Sequence, residues 1–321
     1  MDDVILSERA LGAERERAEV RPSRFRPGAA RRGDILWGYV LLLPAVAFLG
    51  ALLVEPFLKA VQYSLESWDG IGPARYVGFE NYRHLWTDPV ERSSLYHLGV
   101  LFVFYSLIPT AGGLAAAALV RRSDQRGMGF FRVVLFLPQV IVTVVAALVW
   151  TWILGPSGGA SLNGLLHTLH LGPEVGRPWL GSFDTALFAV GLIAVWLNFG
   201  LCFVLFLSGI QRISPEIYDA ARVDGTGFFR EFTRLTTPLL RREIGAALTI
   251  SVVVALQSFT LVYVATNGGP GYATMVPGLL VYRFGFQLGQ VGDASALGIA
   301  MTLIIFVLTL VVRALIERDA T

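Results

Sequence analysis

Apolar residues in this chain gather into six long runs, separated by segments of polar or mixed character. The runs fall at residues 35–54, 95–120, 133–154, 183–210, 244–266 and 294–312. Each is at least about nineteen residues, close to the length a helix needs to cross a hydrocarbon core of roughly 30 Å. The pattern therefore predicts an all-α polytopic membrane protein with six complete spans and no half-span. Pro44, Pro109 and Pro138 fall inside these runs and are tolerable there, because neighbouring helices can satisfy the backbone groups that proline frees. Gly112, Gly113 and the alanines at 115–118 predict close helix packing in the second span.

The polar segments divide the chain into three parts. Residues 1–34 hold eight Arg and seven acidic residues, with no apolar run long enough for a signal-peptide core, and are expected to form a solvated, disordered tail. Residues 35–94 contain the first span and a loop punctuated by Gly70, Gly72, Pro73 and Gly78. Residues 95–321 form a core of five further spans, interrupted by a long polar loop at 211–243. Within that loop the stretch 214–238 keeps a helical pattern. Ser214 suits an N-cap, Pro215 the first helical position, and Glu216 the positive end of the helix dipole. Asp224 and Gly225 supply a turn that should stop this helix. A second pattern follows, with Phe228, Phe232, Leu235 and Leu239 at helical spacing, in which Pro238 requires a kink or a restart. The periodicity alone fits two short helices joined as a rigid knob, and equally an amphipathic loop lying on a membrane surface.

With 54% apolar residues and a mean hydropathy of +0.60 over 321 residues, the chain is too apolar for an ordinary soluble domain. Its single cysteine, Cys202, excludes an intrachain disulfide and a Cys-based metal cluster. His167 and His170 are the only close histidine pair and have no carboxylate nearby, so no metal site is expected. Lys and Arg are strongly asymmetric. With the N-terminus inside, twenty fall in inner segments and six in outer ones. The positive-inside rule then places both termini and the 214–238 loop in the cytoplasm.

The chain lacks the Gly-x-x-x-x-Gly-Lys-Ser/Thr run of a P-loop and a His-Glu-x-x-His helix, and its Gly155-x-Ser157-x-Gly159 match directly follows a long apolar run, not a strand, so no enzyme activity and no cofactor are expected. Apart from His97 and Asp184, close to the starts of the second and fourth runs, the six apolar runs hold no ionisable group of the kind that ion-coupled transporters use, which argues for an external energy source. Uncharged polar residues mark a candidate path: Asn198 beside Trp196 in the fourth run, and Gln257 and Ser258 in the fifth, with Tyr263 further along. At ~1.5 Å per residue, Asn198 and Gln257 lie at matching depth, about 18 and 20 Å from the inner ends of their spans. Amides and aromatic faces suit a sugar; amides bonding neighbouring helices would look the same.

Several motifs resemble those of bacterial ATP-binding-cassette importer permeases. Asp219-Ala220-Ala221, three residues, Gly225, nine residues and then Leu235-Thr236-Thr237-Pro238 is similar to that family's EAA loop, with Asp219 in place of its Glu. Pro56, Ser64, Trp68 and the Val77, Gly78, Phe79, Asn81, Tyr82 segment resemble a sugar-permease signature. So do Phe130-Phe131-Arg132 with Phe136-Leu137-Pro138, Gly268-Gly269-Pro270 with Ala273-Thr274, Tyr282 with Phe286, and Gly292 with Ala294-Ser295-Ala296. The resemblance implies a type I importer permease of the maltose and glycerol-phosphate kind, in a bacterial cell membrane. It implies a second permease, an ATPase dimer that alone uses ATP, and an extracytoplasmic solute-binding protein as partners. It makes Glu216, Asp219, Ala220, Ala221, Asp224, Gly225 and Pro238 the ATPase-coupling residues. An importer of polyamine, phosphate or sulfonate is the alternative within the class, and a transporter independent of any ATPase the alternative outside it.

Overall fold

The computed structural model describes residues 32–122, 128–156, 161–170 and 176–318. The predicted tail at 1–34 lies outside them except for its last three residues. The chain divides into two compact units, Met1–Phe57 and Leu58–Thr321. In the first unit, helix α1 (Arg32–Leu49) keeps Pro44 within it and from Ile35 onward carries no charged residue, as a span in lipid requires. A π-helical turn, Gly50–Val54, continues it into α2 (Glu55–Tyr63). The first helical run therefore extends to Tyr63, beyond the expected end at residue 54, and Glu55 and Lys59 lie on the helix itself.

In the second unit a two-residue strand pair, β1 (Glu66–Ser67) and β2 (Arg75–Tyr76), pairs antiparallel and leads to α3 (Glu80–Thr87). Asn81 organises this loop by donating from its side-chain amide to the carbonyls of Ser64 and Glu66, both at 2.9 Å. Tyr82 donates its hydroxyl to Ser64 Oγ at 2.8 Å, and Trp68 donates its indole N–H to the Gly72 carbonyl at 2.7 Å. The signature residues of the loop are thus its own fastenings. The Asp69 carboxylate accepts from the amides of Ile71 and Gly72, which holds its pKa below the ordinary value.

Helix α4 (Pro89–Phe102) starts on an N-cap: the Asp88 carboxylate accepts from the amides of Val90 and Glu91, with Pro89 at the first position. It runs through a π-helical turn, Val103–Leu107, into α5 (Ile108–Arg122). Then come α6 (Met128–Val140), α7 (Thr143–Ile153) and the short α8 (Leu162–Thr168). The next helix, α9 (Ala186–Ile210), is the most buried of the long helices and packs on α5 and α6. The expected small-residue packing is present. A Cβ on Gly113 would stand 2.8 Å from both Cys202 Cβ and the Phe203 nitrogen, so only glycine allows α5 and α9 to approach this closely. Buried Cys202 belongs to the same core.

The last part holds α10 (Pro215–Val223), α11 (Phe228–Glu231), a π-helical turn Phe232–Thr236, α12 (Thr237–Leu239), α13 (Arg241–Leu256), α14 (Phe259–Ala265), α15 (Pro277–Tyr282) and α16 (Val291–Arg318). Among the described residues, four helices are long and apolar enough to cross a membrane, and six spans result if each of two bent pairs counts as one.

Those two pairs correct the expectation of unbroken spans. In the third, α6 and α7 meet at 104°. Pro138 lies three residues before the break, lacks an N–H and crowds the preceding turn; the chain turns with Ile141 N–H on the Pro138 carbonyl and leaves the helix at Val142. In the fifth, α13 and α14 meet at 48°. There the Gln257 amide is shared between the carbonyls of Val253 and Val254, and ψ turns positive at Gln257 and Ser258. Neither glycine nor proline punctuates that site.

Candidate functional site

The loop after α9 folds as a knob. Helix α10 ends in a Schellman motif. Thr226 N–H reaches the Ala221 carbonyl and Gly225 N–H the Arg222 carbonyl, both at 3.0 Å, while Gly225 takes φ +72. The predicted stop at Gly225 is therefore its C′ residue, with Asp224 as the C-cap. At the other end Ser214 is the N-cap residue, but its hydroxyl donates to the Glu216 carboxylate and makes no bond to a backbone amide.

Pro238 falls in the first turn of α12, where the helical pattern restarts after a π-helical turn. The π-helical turn just before it absorbs the lost donor, with Thr237 Oγ1 donating to the Phe232 carbonyl at 2.9 Å. Tyr218 is the anchor that periodicity did not single out. It is 1% exposed, its hydroxyl lies 3.3 Å from Thr236 Oγ1, and its ring carries the Arg121 guanidinium carbon 3.2 Å above its centroid.

With Tyr218 turned inward, α10 presents Glu216, Asp219, Ala220 and Asp224 outward, and Ala221 half-buried. Asp219 and Arg222 form an exposed pair at 3.4 Å, an interaction that water and salt weaken. Val223 and Phe229 are exposed at 87% and 77%, an apolar tip on a polar loop.

The second feature is a cavity of about 460 Å³ between the broken helices, within the roughly 300–1,000 Å³ usual for small-molecule sites. Asn198 and Gln257, placed at matching depth by sequence, both line it. They are joined by Tyr105, Gln139, Thr143 and Thr260. Asn198 donates from its side-chain amide to the Ala194 carbonyl at 2.9 Å, which leaves its oxygen as an acceptor. None of the lining residues is charged.

Three other path candidates lie elsewhere. Trp196 is half-buried against Trp150, edge to face at 5.6 Å. Ser258 is buried, its hydroxyl without a hydrogen-bond partner. Tyr263 stacks on Phe259 at 5.3 Å and meets the edge of Tyr282 at 5.7 Å. Residues missed by sequence flank the irregular backbone: Tyr105 sits in a π-helical turn, and Gln139 and Thr143 on either side of the 104° break. The legible signal was a glutamine directly after a proline in an apolar run. Among the described residues no group of three His, Cys, Asp or Glu side chains could hold a metal ion.

Membrane-length helices, two of them broken around an uncharged cavity, and a helical knob fastened beneath them define a polytopic membrane transport component. The chain belongs to the family described as binding-protein-dependent transport system inner membrane component, whose profile matches residues 108–318. Among curated proteins it is 34% identical over 275 residues to the probable ABC transporter permease protein YurN of Bacillus subtilis, covering 85% of this chain and 93% of that one. It is 30% identical over 319 residues to the diacetylchitobiose uptake system permease protein NgcF of Streptomyces coelicolor, covering 94% and 88%. Among solved structures, a bacterial ABC transporter involved in import of the acidic polysaccharide alginate superposes with a TM-score of 0.76 over 89% of this chain and 96% of that one, at 21% identity, which shows a shared fold.

Proposed function

We propose that this chain is one permease subunit of an ATP-driven importer for an uncharged sugar or short oligosaccharide. It lies in the cell membrane with both termini and the α10–α11 knob in the cytoplasm. A second permease completes the path, an ATPase dimer takes the knob, and an extracytoplasmic binding protein delivers the solute. The chain itself catalyses no reaction and holds no cofactor; ATP is consumed by the partner.

The observation that supports this reading most is the knob. A buried Tyr218 fixes α10, while Val223 and Phe229 stand in solvent at 87% and 77% exposure. Exposed apolar side chains on a rigid, otherwise polar protrusion mark a protein interface. The cavity supports the solute class. Its amides and hydroxyls match sugar hydroxyls as donors and acceptors, and an anion placed among uncharged groups in the membrane would pay several kcal/mol of uncompensated desolvation. Diacetylchitobiose, named for the relative NgcF, is of that uncharged class.

The experiment is co-purification and transport. With Val223→Cys, a thiol crosslinker should capture a nucleotide-hydrolysing subunit in intact cells, and Val223→Asp should lower both its recovery and uptake. Transport by the purified chain alone in liposomes, with no ATPase present, would overturn the reading.

A further inference from the structure

Between the knob and the last turn of α5 lies a crevice that the established parts do not use. It is lined by Arg121, Tyr218, Glu231 and Thr236, closed by Phe228 and Phe232. Glu231 is 6% exposed, and its Oε2 is fully buried with no hydrogen-bond partner. A carboxylate is expensive to bury unless it is paired. The guanidinium that could pair with it lines the same crevice, yet its face is on the Tyr218 ring, 3.2 Å from the centroid. Arg121 has five N–H donors in a planar fork, suited both to stacking on a ring and to gripping a carboxylate. The crevice thus offers one cation two partners: an aromatic face on α10, and the unsatisfied Oε2 of a buried carboxylate at the end of α11.

We propose that Arg121 and Glu231 are positioning residues of the coupling step. Arg121 holds α10 through Tyr218 in the conformation described here and moves onto Glu231 when the ATPases close, so that displacement of the knob reaches α5, and through α5 the helix α9 packed on it. This rests on the reading of α10 as the ATPase contact. A purely structural Glu231 would behave differently: neutralising a buried carboxylate with an unsatisfied oxygen would stabilise the protein and leave its response to nucleotide intact.

The test uses the permease–ATPase complex in nanodiscs, with Cys202→Ser to remove the one native thiol and the pair Ala118→Cys and Phe228→Cys across the crevice. Disulfide yield is compared without nucleotide and after trapping with Mg-ATP and vanadate, which needs no knowledge of the solute. We expect the yield to change at least threefold on trapping, the change to be lost in Glu231→Gln while the thermal midpoint holds or rises, and the exchange Arg121→Glu with Glu231→Arg to restore it. Arg121→Lys, which keeps charge but loses the fork, should give an intermediate response. An unchanged yield on trapping, or a Glu231→Gln response equal to the parent's, overturns the proposal. Failure of any ATPase to co-purify with the parent chain would instead overturn the coupling reading beneath it.

Discussion

Gly225 separates the shape of the knob from its surface. Its φ of +72 closes the Schellman motif, and a Cβ built there meets nothing within 4 Å inside the chain. The cost of replacing it is therefore conformational. An L-residue in the left-handed region loses roughly 1–2 kcal/mol, equivalent to about a 5–30-fold fall in the fraction holding the docking-competent turn. Asn tolerates that region, and a β-branched residue is the worst choice. Gly225→Asn, Gly225→Ala and Gly225→Val should all insert normally, as judged by abundance in the membrane fraction. ATP hydrolysis and uptake by the assembled importer should rank Gly, Asn, Ala, Val, with Asn within about twofold of Gly by this backbone argument. If Asn proved as poor as Val, the site would be rejecting side-chain bulk at the ATPase surface. If Ala equalled Gly, the turn would not limit coupling. Either result refutes the backbone reasoning.

Three further outcomes follow from the described contacts. A Cβ on Gly292 would lie 2.1 Å from the Glu66 carbonyl oxygen, whereas one on Gly298 would meet nothing within 4 Å; Gly292→Ala should lower stability by about 1–3 kcal/mol and Gly298→Ala should not, as read from thermal midpoints in detergent. Asn81→Leu strips two hydrogen bonds from the buried carbonyl of Ser64 and the part-buried carbonyl of Glu66, so a loss of about 1–3 kcal/mol is expected in the same assay. Gln257→Leu should raise the half-saturating solute concentration for uptake without weakening ATPase recovery, and Gln257→Glu should depress uptake further by placing a charge in an uncharged cavity; equal behaviour of the two variants would argue against solute contact there.

The spans were legible because lipid demands long apolar helices, and the stop of α10 because Gly225 has a conformational reason to be there. That Gln257 and Asn198 share a depth was legible because an amide within an apolar run is conspicuous, and both line the cavity. The breaks were harder to read. Pro138 was visible, but proline in a membrane helix is compatible with an unbroken span, and at Gln257 and Ser258 no residue type announces a kink; the backbone departs from the helix only in its tertiary setting. Tyr218 and Glu231 were hidden for the opposite reason. A tyrosine and a glutamate in a polar loop read as exposed, and only the fold shows that α5 brings Arg121 over the ring and closes the crevice around the carboxylate.

Stiff and compliant elements are distributed in a way that suits transmission. Helix α9 runs unbroken for 25 residues from Ala186 to Ile210 and leads directly to Ser214 and the knob. Asn198 lies on it twelve residues from that end, about 18 Å away, so the proposed tilt of the knob would reach the cavity along one unbroken helix. The two spans facing α9 across the cavity are the ones that bend, at 104° and 48°, and the bends fall beside Gln139, Thr143 and Gln257. Broken backbone at the depth of a polar cavity is tolerated where it is shielded from lipid, and each break is a place where a rigid segment can turn relative to its neighbour. Under the proposed coupling, an unbroken helix meeting two bent spans at the amides would change the shape of the cavity there, with the close glycine contact of α5 on α9 carrying the two helices together.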